Sequence, residues 1–223
     1  MIQSLYYKEW LKSRWLLLII LLSFVGVVLY SFVSISQELR VGGVNQVWDL
    51  IVQKGVTYFG YVKYLPLVAG ILLAISQYVP EMSNKRLKLT LHLPLAESKI
   101  MLTMLSYGVV NLFVIFAVIF VGIYLGTRLY FPTEIAYWNM IVTLPWFIGG
   151  IVAYLLTAWI CLEPVWKQRI YNSLISILIV ALYYFDAMPE AYCPSLAYLL
   201  IIAVLSISFS FYSLIRFKDG AQF

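Results

Sequence analysis

Charge is scarce in this chain. Only 11% of its 223 residues are Asp, Glu, Lys or Arg, where soluble domains carry about 25%. With 63% hydrophobic residues beside that shortage, an ordinary water-soluble globule is excluded. Two cysteines and one histidine leave no credible metal set. No G-x-x-x-x-G-K-[ST] phosphate loop, dinucleotide glycine fingerprint or H-E-x-x-H helix occurs, which excludes nucleotide hydrolysis and zinc hydrolysis by the chain itself. Carboxylates are also missing from the middle of every apolar run, where an ion-coupled carrier needs one. Glu38, Asp49, Glu134, Asp186 and Glu190 fall in one set of loops, and Glu9, Glu81, Glu97, Glu163 and Asp219 in the other.

What the chain has is apolar length. Crossing a hydrocarbon core of about 30 Å takes roughly 20 mostly apolar residues. Six runs qualify: 15–35, 58–79, 101–126, 139–162, 170–186 and 195–215, the fifth being the shortest. The reading is an all-α integral membrane protein with six transmembrane helices in a single domain, residues 1–223. The run from Trp15 to Ile35 exceeds the 7–15 apolar residues of a signal peptide, so it reads as a retained span.

Basic residues set the orientation. Lys8, Lys12, Arg14, Lys85, Arg86, Lys88, Lys99, Lys167, Arg169, Arg216 and Lys218 fall on one side, and only Arg40, Lys54, Lys63 and Arg128 on the other. That asymmetry in short loops places both termini in the cytoplasm. It also explains the net charge of +5 as topology, so no nucleic-acid partner is called for. Cys161 and Cys193 then lie on opposite sides of the bilayer and cannot pair within one chain.

Residues 1–14 place Ile2, Leu5, Tyr6 and Trp10 on one arc, which fits an interfacial helix ahead of the first span or equally a basic flank that only orients that span. Val44, Val47, Trp48, Ile51 and Val52 give the outer loop an amphipathic helix, with Gly42, Gly43 and Gly55 as breakers. Aromatic groups at span ends, including Tyr137, Trp138, Tyr183, Tyr184 and Phe185, read as interfacial anchors, and Lys63 reads as snorkelling outward. Two inward-running spans share a pattern, Pro66 with Gly70 and Pro145 with Gly149 and Gly150, which predicts a kink in each; it fits either a two-fold repeat or the general frequency of proline and glycine in membrane helices.

Between the second and third spans lies a basic, leucine-rich segment, 80–99. Glu81, Lys85, Lys88 and His92 form one polar stripe on a helical wheel, with leucines at 87, 89, 91, 93 and 95 around it. A strictly alternating strand also fits the pattern. The helix is preferred, because a lone strand leaves its edges unpaired and Pro94 ends a helix. His92 has no acid or nucleophile beside it and reads as a solvated loop residue. Topology accounts for the charges, but five leucines in a loop imply burial against protein or lipid.

The order of an acidic residue, a basic pair, a leucine-rich segment, L-P-L and E-S-K leading into the third span resembles the type-2 permeases of ATP-binding-cassette transporters. The likeness is sharp over 80–104, and the six spans agree with it. It implies a permease subunit of the bacterial plasma membrane, moving a substrate, by export, in a dimer with a second permease copy or homologue. It further implies that a cytoplasmic ATP-binding-cassette ATPase binds and hydrolyses ATP, so the chain needs no cofactor and is not catalytic alone. In that family the 80–99 loop is the coupling helix. Glu81, Asn84, Lys85, Arg86, Lys88 and His92 would lie on or beside the surface facing the ATPase, and Pro94 would shape the return to the membrane. The family's short re-entrant helices between the fifth and sixth spans have no room in the loop from Asp186 to Pro194. The rival reading is a six-span channel, membrane enzyme or assembly factor whose leucine-rich loop lies on lipid.

Overall fold

The computed structural model describes residues 2–52, 59–83, 96–185, 192 and 194–218. Among the described residues six helices follow one another: α1 Ile2–Val52, α2 Leu65–Ser83, α3 Glu97–Tyr130, α4 Thr133–Leu162, α5 Trp166–Ala181 and α6 Leu196–Lys218, with a 3-10 turn at Gly60–Val62 before α2. No strand occurs among the described residues. Among the described residues five stretches are long and apolar enough to cross a membrane: Ile2–Gly43, Gly60–Ser83, Ser98–Tyr130, Thr133–Leu162 and Leu196–Ser213. The fifth expected span, 170–186, is helical only through Ala181. Its 16 residues rise about 24 Å, short of a hydrocarbon core of about 30 Å.

The first helix differs from expectation at its start. Residues 2–14 are not a separate interfacial helix; they run on into the first span without a break. Leu5, Glu9, Ser13, Leu17, Ile20, Phe24, Val28, Ser31 and Ile35 make one buried stripe at three- and four-residue steps. Of the apolar arc, Leu5 is buried in that stripe, while Ile2 and Trp10 are exposed on the outside of the bundle. Farther on, the expected break is present: Gly43 has φ 72°, a left-handed backbone open to glycine, and helix resumes over 44–52.

The bundle is organised on α4, which touches α2, α3, α5 and α6. Parallel pairs set the register. Ser13 meets Tyr107 and Phe24 meets Phe116, so α1 and α3 run the same way. Phe147 of α4 closes the aromatic cluster with Phe24 and Phe116 at 6.2 and 5.3 Å between ring centres.

The proline and glycine pattern turns out to be about contact. Pro66 sits in the first turn of α2, where a missing N–H breaks no helical bond, so it opens the helix and does not kink it. Pro145, by contrast, lies well inside α4, so the two prolines occupy different positions in their helices. Gly70 and Gly150 mark the closest approach of α2 and α4: a Cβ on Gly70 would stand 2.1 Å from the Gly150 carbonyl oxygen. Small residues at such crossings let helices gain van der Waals contact, which is what binds them in lipid. Gly149 makes room for Tyr183, whose Cβ would lie 2.7 Å from an added methyl.

Two aromatic residues read as anchors are ties instead. Tyr183 is fully buried and donates to the Leu199 carbonyl at 2.7 Å, and Tyr184 donates to the Trp146 carbonyl at 3.0 Å. Tyr137 and Phe185 are exposed, as anchors should be. Lys63 is buried, its Nζ 5.3 Å from the Tyr64 ring centre. Cys161 is a free thiol, and Cys193 lies outside the described residues.

Candidate functional site: the charged end of the bundle

The starts of α1, α3 and α5 and the ends of α2, α4 and α6 meet at one end of the bundle, held by polar side chains. Glu81, just after Pro80 in the last turn of α2, is wholly buried. A buried carboxylate has to be paired, because its lost hydration is otherwise uncompensated. Lys8 reaches it at 3.0 Å, and Lys12 bonds to it as well. Lys12 also bonds Glu9 at 3.1 Å, so α1 and α2 are clamped by two carboxylates and two ammonium groups in local charge balance.

One turn above Glu81, on the same face of α2, stands Gln77. It donates from Nε2 to the Met104 carbonyl at 2.8 Å and accepts from Tyr154 at 2.8 Å. With the Tyr154 proton used there, the Tyr78 hydroxyl 3.3 Å away donates to Tyr154. Tyr154 fits because residue 108 of α3 is glycine: a Cβ there would fall 2.1 Å from the ring. Ser13 works similarly between α1 and α3. Its single proton goes to the Glu9 carbonyl at 2.9 Å, so Tyr107 at 2.6 Å donates to it. The last two turns of α2 are thereby bonded to α1 through Glu81 and to α3 and α4 through Gln77.

A second clamp closes α4 onto α6. Glu163, also fully buried, accepts from Ser213 at 2.6 Å and pairs with Arg216 at 3.1 Å, while its carbonyl accepts from Arg169 Nε at 2.7 Å. A groove of about 610 Å³ is formed by the ends of α2 and α4 and the start of α5, lined in part by Val79, Met82, Cys161, Pro164 and Arg169. No group of three or more potential metal ligands occurs among the described residues.

Of the residues assigned to the partner-facing loop, Asn84, Lys85, Arg86, Lys88, His92 and Pro94 lie outside the described residues, as do Leu87 through Leu95. Glu81 is described, and it faces the bundle interior. Its described partners are lysines of α1, where the sequence suggested Lys85 one turn on. Gln77, Tyr78, Tyr107, Tyr154 and Ser213 were not singled out from the sequence. One signal was available: Gln77 and Glu81 are four apart at the end of an apolar run, and polar groups so placed need partners. No family model, curated protein or solved structure matches the chain.

Proposed function

We propose that this chain is the membrane-spanning subunit of an ATP-binding-cassette exporter of the type-2 kind, working as a dimer on a separate cytoplasmic ATPase. The single observation behind this reading is the bonding of α2 just ahead of the 84–95 segment. Glu81 and Gln77 join that end of α2 to α1, α3 and α4, so a push received by the leucine-rich segment would move four helices and not bend one. In this proposal the charged end is cytoplasmic, consistent with the excess of basic residues there. The chain crosses the bilayer six times, and α5 crosses where the bilayer is thinned by a few Å. ATP is bound by the partner. The transported substrate passes between two permease copies.

The test is co-purification with the ATPase. Residues 84–93 are exchanged for a flexible polar linker, sparing Glu81 because it holds the fold. Loss of the ATPase from an otherwise folded, membrane-inserted protein is the expected result. Retention of the full complex would overturn the proposal and leave the channel, enzyme or assembly reading.

A further inference from the structure

A groove of about 480 Å³ runs along the seam of α1 and α3 on the outside of the bundle, away from both clamps. Its polarity is graded along its length. At the charged end stands Arg14, exposed, its guanidinium 5.6 Å from the centre of the Trp15 ring, with Trp10 one turn earlier. No carboxylate among the described residues pairs with Arg14. Next comes Asn111. Because Ser13 bonds Tyr107, Asn111 one turn further along α3 lies level with Leu17, about 5 Å deeper than Arg14. Its amide nitrogen spends one proton on the Tyr107 carbonyl at 2.7 Å and keeps a second to donate into the groove. Beyond it the walls are hydrocarbon: Leu18, Leu21, Val114 and Ile115.

We infer that this groove seats an anionic glycerophospholipid of the leaflet facing the charged end, with its phosphate on Arg14. The order of cation, amide donor and apolar trough matches the order of phosphate, ester carbonyl and acyl chain in such a lipid. Trp10 and Trp15 sit at the headgroup level that indole rings favour. A lipid phosphate supplies Arg14 with the counter-charge that no described carboxylate of the chain provides. The inference rests on the membrane-spanning reading and not on an ATPase, so its test uses the full chain alone in detergent micelles.

The measurement is native mass spectrometry with dioleoylphosphatidylglycerol and dioleoylphosphatidylcholine at equal concentration. Wild type should retain the anionic lipid about fivefold over the zwitterionic one, the worth of one basic residue at such a surface. Arg14→Gln should abolish that preference, Arg14→Lys should keep it, and Arg128→Gln at the opposite end should leave it unchanged. Val114→Trp fills the trough while leaving Arg14 in place, and should lower retention of both lipids. Equal retention of the two lipids by wild type, or an undiminished preference in Arg14→Gln, overturns the inference. So does lipid binding that survives Val114→Trp, which would mean headgroup attraction alone, or efficient cross-linking of two copies through Val114→Cys, which would make the groove a subunit contact.

Discussion

Gly70→Ala asks whether α2 and α4 really touch where the structure places them. The added Cβ would lie 2.1 Å from the Gly150 carbonyl oxygen and 3.0 Å from the Tyr154 nitrogen, both backbone atoms of α4. Ordinary non-bonded contact is about 3.5 Å, so the helices would have to part by about 1 Å or more, with no flexible side chain to absorb the change. The converse holds from the other side, since a Cβ on Gly150 would meet the Pro66 carbonyl at 2.6 Å. Overpacking of this kind costs about 1–3 kcal/mol, and a backbone clash belongs at the upper end. Gly26→Ala is the opposite case, because no heavy atom stands within 4 Å of its would-be Cβ. There alanine's better helix propensity should stabilise by up to about 1 kcal/mol. Unfolding in mixed micelles of rising sodium dodecyl sulfate content, followed by tryptophan fluorescence, reads both. A Gly70→Ala protein as stable as wild type, alongside a normal Gly26→Ala, would show that α2 and α4 do not approach here.

Three further outcomes can be checked by the same unfolding assay. A double-mutant cycle of Glu81→Gln with Lys12→Met should return a favourable coupling of about 1–3 kcal/mol, and additivity would dissolve the α1–α2 clamp. Gln77→Leu removes both the bond to the Met104 carbonyl and the 2.8 Å acceptor of the Tyr154 hydroxyl and should cost about 1–3 kcal/mol, more than Tyr154→Phe, which leaves the Gln77–Met104 bond in place; the reverse order would refute the network. Arg216→Gln should destabilise more than Ser213→Ala, because it removes the counter-charge of a carboxylate with no exposure. Its effect should persist in high salt, since a buried pair is weakly screened.

The sequence was most legible where one physical rule dominates. Apolar runs long enough for hydrocarbon gave helices near their expected places, and Gly43 broke the first of them because it alone adopts positive φ. Legibility failed where polar groups are buried. Glu9, Ser13, Gln77 and Glu81 bond to residues of other helices inside the bundle, which the apolar arc of residues 2–10 did not reveal. Lys8 and Lys12 were read as orientation signals, and that reading did not reveal that they also neutralise Glu81 from α1, 69 and more residues away in sequence. Tyr183 and Tyr184 were taken for anchors because a tyrosine at a span end looks the same whether its hydroxyl meets headgroups or a neighbouring carbonyl.

Composition and run length by themselves fixed a helical membrane protein, since every apolar run must satisfy its backbone internally and only a helix does so within one segment. They also located the short loops and the basic side. The tertiary structure decided which faces meet: that α4 is the hub, that Gly70 and Gly150 let α2 lie against it, and that three carboxylates placed in loops by the sequence, Glu9, Glu81 and Glu163, are buried and paired. Those outcomes depend on contacts between residues far apart in the chain, and hydropathy along one helix carries no record of what the next helix offers it.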